Sequence, residues 1–344
     1  MPSTTPAVAS FFDAATFTST RHARPLIDAL TASDLPARVL ISGNAGSGKT
    51  TMLRGAQRFL AQTGAEVRVL GPETNVFDVP ASSILLVDDL HLLPTAQVEG
   101  LGLRVSDPDA ALVVTSRPWP HSNALSSIAR QLERSRPAVV LGHLTPSDVL
   151  DYLAANDRTL KPACMDHILE VTGGVAWLVA AALAAHDDRD CADDGSHAAL
   201  GNVLEQSVAH RMGVAEDDLR RAIEAMSVWS ADDAGVVIDD VDDVESILAQ
   251  GYAEGLLLRN GRPVPVVRSA VRANLPARRF VELMAAMPRG MDPLASRGGD
   301  RLADIRDPRL SSALLERGDQ LLESDPARAG ELYCAAAEAG VSSA

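Results

Sequence analysis

Short apolar runs bounded by polar turns recur through the first third of the chain, and helical periodicity takes over after them. Residues 38–42 have the character of a buried parallel strand, and residues 51–59 behind them read as a helix. Residues 66–70, 84–87, 111–116 and 138–141 supply four more strands, which predicts a parallel five-stranded sheet. Thr145 is then a helix N-cap with Pro146 in the first turn. Apolar positions at Val149, Leu150, Tyr152, Leu153, Ile168 and Leu169, then from Trp177 to Leu183, predict a small all-helical segment. Residues 186–195 form an acidic, glycine-ended spacer with no assigned metal. Residues 219–228 and 244–248 are amphipathic, and residues 256–264 read as a hairpin with Asn260-Gly261 supplying a turn at positive φ. Residues 278–287 begin a helical arm, and residues 311–322 and 326–339 predict two antiparallel helices joined at Glu323-Ser324-Asp325.

Between the first strand and its helix stands Gly43-Asn44-Ala45-Gly46-Ser47-Gly48-Lys49-Thr50. This is the GxxxxGK[ST] phosphate loop in its strand–loop–helix setting. Its glycines let backbone N–H groups turn inward around phosphates, and the helix N-terminus adds partial positive charge. Lys49 is placed to reach the β- and γ-phosphates and the Thr50 hydroxyl to hold Mg²⁺, with Thr51 completing the phosphate-binding set. The run at 84–87 ends in Asp88-Asp89, the Walker B pattern, about 40 residues after the loop. Asp88 is assigned to the Mg²⁺ shell and Asp89 to polarising the attacking water; a carboxylate at the C-terminal end of a parallel strand is where such sheets collect ligands. Arg117, at the tip of the run at 111–116, is placed to touch a γ-phosphate. Neither Lys49 nor Lys161 fits an Asn/Thr-Lys-x-Asp guanine-recognition motif, so ATP and ADP are the expected nucleotides.

Composition narrows the field further. The 344 residues suit two or three domains, and 46% hydrophobic residues exclude disorder. Only 3% are aromatic, so the cores rest on Ala, Leu and Val. Of 31 basic residues 29 are Arg, and the net charge of −15 argues against this segment gripping a polyanion by itself. The three cysteines, Cys164, Cys191 and Cys334, lack disulfide or zinc spacing, which fits a reducing cytoplasm. The longest apolar run, residues 175–185, is too short to span a bilayer, and the N-terminus lacks signal-peptide character. A cytoplasmic protein with no membrane partner is expected.

These residues together resemble the STAND class of signal-transduction ATPases, and within it the MalT-like, LuxR-type bacterial regulators. The phosphate loop carries the resemblance, with Leu86-Val87-Asp88-Asp89-Leu90-His91 and Thr115-Ser116-Arg117-Pro118. Residues 172–178 are similar to the family's Gly-Gly-x-Pro-Leu element, which adds Gly174 to the nucleotide site, and residues 264–271 to its His-Pro-Leu-Val-Arg-x-Ala-Val element. The chain departs from the pattern at Ala176, where proline is usual, and at Val264, where many relatives carry a histidine that senses the ADP β-phosphate. His210 and Arg268 are both candidates to replace it.

The resemblance implies an ASCE/AAA+-like α/β P-loop NTPase domain over 1–143, a helical lid over 144–188, a winged-helix domain over 189–276, and a helical arm with the first TPR-like helices over 277–344. Aspartates 232, 233, 239, 240, 242 and 243 would repel phosphates, so the winged helix is expected to dock internally and not on DNA. One tetratricopeptide-like unit cannot bury its own face, so the chain is expected to continue into a helical-repeat sensor and a helix-turn-helix. That sensor would receive a small-molecule or protein inducer, and DNA would be met only through the helix-turn-helix. The expected activity is slow ATP hydrolysis: a closed ADP-bound monomer opens and self-associates with ATP and inducer, and hydrolysis resets it. The rival readings are an AAA+ motor or loader, with Arg130, Arg134 or Arg136 acting in trans, and a scaffold with permanently bound ADP.

Overall fold

The computed structural model describes residues 21–32, 36–71, 74–120, 122–186, 198–229, 244–285 and 308–340. The expectations for most of the acidic spacer at 186–195, for Cys191 and for the six aspartates between 232 and 243 lie outside these residues.

Among the described residues, five strands form one parallel sheet: Arg38–Gly43 (β1), Val67–Val69 (β2), Ile84–Val87 (β3), Leu112–Ser116 (β4) and Val139–Leu141 (β5). Their order is β2-β3-β4-β1-β5. Each strand is where the apolar pattern places it, with no end differing by more than one residue. The sequence-distant β4 lies between the phosphate-loop strand β1 and the Asp88-Asp89 strand β3. With the phosphate loop following β1, this is the α/β P-loop NTPase fold.

Alternation along the strands explains why the sheet is covered on both faces. Val39 and Ile41 of β1, Leu86 of β3 and Val113 of β4 point to one face, against Leu26 and Ala29 of Arg24–Thr31 (α1) and Met52, Leu53, Ala56 and Leu60 of Lys49–Gln62 (α2). Leu40, Leu85, Val87, Leu112 and Val114 point to the other, against Val98, Leu101 and Val105 of Thr95–Ser106 (α3) and Ile128 and Leu132 of Asn123–Glu133 (α4). Buried Arg38 locks the lower end of the sheet. Its guanidinium donates to the carbonyls of Val105 at 2.6 Å and Asp107 at 2.5 Å, satisfying the C-terminal carbonyls of α3.

The chain packs as two units, Met1–Leu204 with Ala249–Gly255, and Glu205–Leu248 with Leu256–Ala344. In the first unit the sheet is followed by Pro146–Ala155 (α5), Pro162–Thr172 (α6) and Ala176–Ala185 (α7). The predicted cap at Thr145 is a full capping box with Asp148, and Pro146 sits in the first turn. Asp148 carries more than the cap: Oδ2 accepts from the Thr145 N–H at 2.8 Å and hydroxyl at 2.6 Å, and Oδ1 pairs with His22 Nε2 at 2.7 Å. The segment before α1 is thereby tied to the start of α5. Ala198–Val214 (α8) and Val244–Ala253 (α10) each begin in one unit's residue range and end in the other's.

In the second unit, Asp217–Trp229 (α9), Ala277–Ala285 (α12), Pro308–Leu321 (α13) and Pro326–Gly340 (α14) follow the predicted helical stretches, and Pro265–Asn274 (α11) is a further helix behind the expected hairpin. Ala225, Val228, Phe280, Val281, Leu314, Leu332 and Ala336 share one core. α13 and α14 run antiparallel, with Ser311 Oγ on the Ala336 carbonyl and Tyr333 Oη on Asp319. The expected hairpin is reduced to an isolated antiparallel bridge between Leu257 and Pro263. Gly261 alone takes positive φ (80°), and its N–H donates to the Leu258 carbonyl. The connection is thus a turn closed onto a left-handed glycine, as in three-residue hairpin loops, and not an Asn-Gly turn with both residues at positive φ. The bridge is flanked by the Leu258 N–H on the Arg262 carbonyl at 2.7 Å and the Val264 N–H on the Leu256 carbonyl at 3.1 Å, so Pro263 sits where the pairing needs no N–H, and the ladder stops as the chain enters α11 at Pro265.

No helix among the described residues is long and apolar enough to cross a membrane. Cys164 is buried and Cys334 exposed, and neither forms a disulfide.

Burial opposes ionisation of Asp148, but the hydrogen bonds from Thr145 and the neighbouring His22 outweigh it and hold the carboxyl below its ordinary value. The stabilisation is complete above the unfolded-state value of about 4 and is lost as pH falls through the folded value. Asp148→Asn is expected to destabilise the fold by about 1–3 kcal/mol near neutral pH. In urea titrations the wild-type and variant midpoints should converge below about pH 4.

Candidate functional site

Parallel pairing brings three distant segments to one edge of the sheet. Ser42 pairs with Ser116 across β1 and β4, and Val87 pairs with Val114 across β3 and β4. The strands therefore end together, and the phosphate loop, Asp88-Asp89 and Arg117 emerge side by side at their C-terminal ends.

Residues 43–48 join β1 to α2 with Asn44, Ala45 and Ser47 buried. The loop bends through two left-handed residues, Gly46 (φ 67°) and Gly48 (φ 94°). A Cβ on Gly46 would stand 2.7 Å from Cβ of Trp177, so only glycine fits the turn against α7. Gly48 is the N-cap of α2 and no side chain caps the helix, so its positive end faces the loop directly. Thr50 and Thr51 are half-buried in the first turn of α2.

Lys49 is buried, and its ammonium donates to the carbonyls of Gly43 at 2.9 Å and Asn44 at 2.8 Å. Burial pulls its pKa down to about 8. Asp89, Asp88 and Glu254 act against that shift and Arg117 with it, which places all five charges in one electrostatic neighbourhood.

Asp88 and Asp89 have different surroundings. Asp88 Oδ1 accepts the Thr115 hydroxyl at 2.6 Å and the Asp89 N–H at 3.1 Å. Thr115 Oγ1 accepts the same Asp89 N–H at 2.8 Å. Asp89 sits at φ 47°, a left-handed conformation that aspartate tolerates better than most residues, and its side chain stays about one-third exposed. Asp88 is thus fixed from β4, whereas Asp89 is turned out of the strand line. The side chain of His91 is buried, with Nδ1 3.8 Å from Asp89 Oδ1. Burial lowers its pKa to about 4, so its ring is neutral at pH 7.

Arg117 extends from β4 and its Nη1 meets Glu254 Oε1 at 2.5 Å. Its Nε is buried with no protein acceptor. Gly174 takes φ 72° and its carbonyl accepts the Leu144 N–H at 2.7 Å, so it packs on Leu144 while Trp177, three residues on, reaches Gly46. Val264, His210 and Arg268 belong to the second unit. Val264 is fully buried at the N-cap of α11, His210 is exposed on α8, and Arg268 lies on α11. Arg130 and Arg134 are exposed at the end of α4, and Arg136 is half-buried beyond it.

Three neighbours of the site were missed by sequence reasoning. Thr115 is visible as the polar member of an otherwise apolar strand, Leu112–Ser116. Trp177 reads as one more apolar residue of α7. Glu254 lies 137 positions from Arg117, and no local pattern marks it.

A nucleoside triphosphate with Mg²⁺ fits this donor set. The Ser47 hydroxyl is buried with no protein partner, which leaves an oxygen inside the loop for a phosphate. No group of three or more His, Cys, Asp or Glu is arranged to hold a metal ion among the described residues. Mg²⁺ in phosphate sites uses one or two carboxylates plus waters and phosphate oxygens, which Asp88 and Thr50 can serve.

No protein-family model matches the chain, and no curated protein does either. Among solved structures it is similar to the Thermotoga maritima RuvB Holliday junction branch migration motor. Identity is 17%, the match covers 74% of this chain and 92% of that one, and the TM-score is 0.40.

Proposed function

We propose that this chain is an ATP/ADP-switched signal-transduction ATPase module that hydrolyses ATP slowly to ADP and phosphate. One observation carries the reading: a buried lysine in a glycine-turned loop, two carboxylates of unlike environment and an arginine meet at the C-terminal ends of three parallel strands. That is the donor set phosphoryl transfer to water requires, since catalysis there is mostly positioning and charge stabilisation.

Each residue has a separable role. The loop N–H groups and Lys49 bind the phosphate chain, with Lys49 moving from the Gly43 and Asn44 carbonyls to phosphate oxygens. Asp88, held by Thr115, and Thr50 would hold Mg²⁺, which supplies charge neutralisation on the phosphates. Asp89 is exposed enough to meet water and orients it toward the γ-phosphorus, taking its proton as the bond to the leaving ADP breaks. Arg117 stabilises the charge developing on the γ-phosphate oxygens.

The regulatory half of the proposal rests on the family resemblance of the same residues. A closed, ADP-bound monomer would give way to an open, self-associating form on ATP binding, with residues 144–188 as lid and 189–276 as an internally docking winged helix. The STAND-type motifs at 43–50, 86–91 and 115–118 and the net charge of −15 support a regulator over a nucleic-acid grip by this segment. The TPR-like pair would be α13 and α14. Coupling between nucleotide and assembly of ~1–3 kcal/mol would suffice for such a switch.

Titration with a fluorescent ADP or ATP analogue tests the binding half: Lys49→Ala should lower affinity by about 100-fold, the loss of a buried charge-assisted contact. Asp89→Asn should retain ATP binding but lose hydrolysis by about 100- to 10,000-fold in a phosphate-release assay, the range for removing a general base. Hydrolysis by Asp89→Asn at the wild-type rate would remove Asp89 from its role. Mass spectrometry of nucleotide released from the denatured wild-type protein should find ADP.

A further inference from the structure

Glu254 stands apart from the nucleotide machinery in sequence but shares its charges. It follows α10, in the stretch Ala249–Gly255 that packs with the first unit. Its carboxylate meets Arg117 at 2.5 Å and contributes to the field at Lys49. The side chain is about 70% buried, since 29% remains exposed, so the pair is only partly screened by solvent.

The position of Glu254 is fixed by its backbone. Its N–H donates to the Gln250 carbonyl at 2.8 Å, and that of Gly255 to the Tyr252 carbonyl at 2.9 Å. Gly255 adopts φ 69°, where a Cβ would stand 2.8 Å from Trp177 Nε1. One residue earlier, the Ala253 carbonyl accepts the N–H of Ala45 at 2.6 Å. The same short segment therefore touches the phosphate loop through a carbonyl and the γ-phosphate arginine through a carboxylate. A loop N–H and an arginine are the donors a phosphate chain needs, and both face protein oxygens here.

We infer that Glu254 is a specificity-determining residue that biases the site toward the diphosphate: its carboxylate holds Arg117 in place of a γ-phosphate and must be displaced for a triphosphate to engage. The inference rests on the nucleotide reading above. Arg117 cannot serve a carboxylate and a γ-phosphate equally, and the two anions repel if both remain. The site already holds Asp88, Asp89 and Glu254 against Lys49 and Arg117, so the added charge of a third phosphate meets an unfavourable balance. ADP leaves the Glu254–Arg117 pair intact. Release of that pair on triphosphate binding would also free the segment that bears on Ala45, giving the chain a direct readout of the γ-phosphate.

The test is calorimetry with Mg²⁺, using ADP and a non-hydrolysable ATP analogue on the 344-residue chain, the Glu254→Gln and Glu254→Ala variants, and each again with Arg117→Gln. Melting curves check that the variants fold, and two substitutions at 254 guard against one failing. Removing the charge should tighten the ATP analogue about tenfold relative to ADP, and the gain should vanish in the Arg117→Gln background, which a merely structural role would not produce. An unchanged ratio with both nucleotides still bound, an equal change for both, or a selective loss of the ATP analogue overturns the inference and leaves the nucleotide reading standing. Absence of binding to any form overturns both.

Discussion

Parallel pairing of β1 with β4 and of β4 with β3 is the constraint on which the site depends. The three strands contribute residues 43, 117 and 88 from positions up to 74 apart in the chain, and only their common direction puts these at one edge. Antiparallel pairing would send Arg117 to the far end. The sheet can hold this arrangement because both faces are buried: alternate residues of each strand feed two separate cores, one under α1 and α2 and one under α3 and α4. At about 25 cal/mol per Å² of apolar surface, burial of the dozen or so strand side chains far outweighs any single contact at the site. The scaffold therefore tolerates strain at Asp89 and crowded glycines in the loop.

Charge is the second organising fact. Lys49 is desolvated, and protein carbonyls and the surrounding acids share the task of keeping its ammonium stable. A site so arranged suits exchange: in the proposed function Lys49 and Arg117 would each trade protein oxygens for phosphate oxygens. Thr115 prevents Asp88 and Asp89 from behaving as an equivalent pair, since it fixes Asp88 and gathers the Asp89 N–H. Two adjacent carboxylates in different environments can divide two roles between them.

Much of this was legible in the chain because it is local. The apolar runs, the N-cap at Thr145, the phosphate loop and the Asp88-Asp89 pair each depend on residues within a few positions of one another, and short-range sterics and hydrogen bonding decide them. The hairpin at 256–264 shows the limit even at short range: Asn260-Gly261 suggested a turn type, but the pairing is a single bridge that gives way to α11, and Gly261 alone takes the left-handed conformation. Asp148 shows the limit at long range, since its capping role is written at 145–148, while its pairing with His22 spans 126 positions.

The sequence by itself determined the strands and helices, the loop that can wrap a phosphate, and the residue types able to hold a nucleotide, because periodicity, glycine placement and carboxylate position are properties of neighbouring residues. Only the tertiary structure decided strand order, the anchoring of Asp88 by Thr115, the approach of Trp177 to Gly46 and the pairing of Arg117 with Glu254. Those contacts join segments far apart along the chain. They exist because burying both faces of a parallel sheet forces its strand ends, and what packs over them, into one small volume.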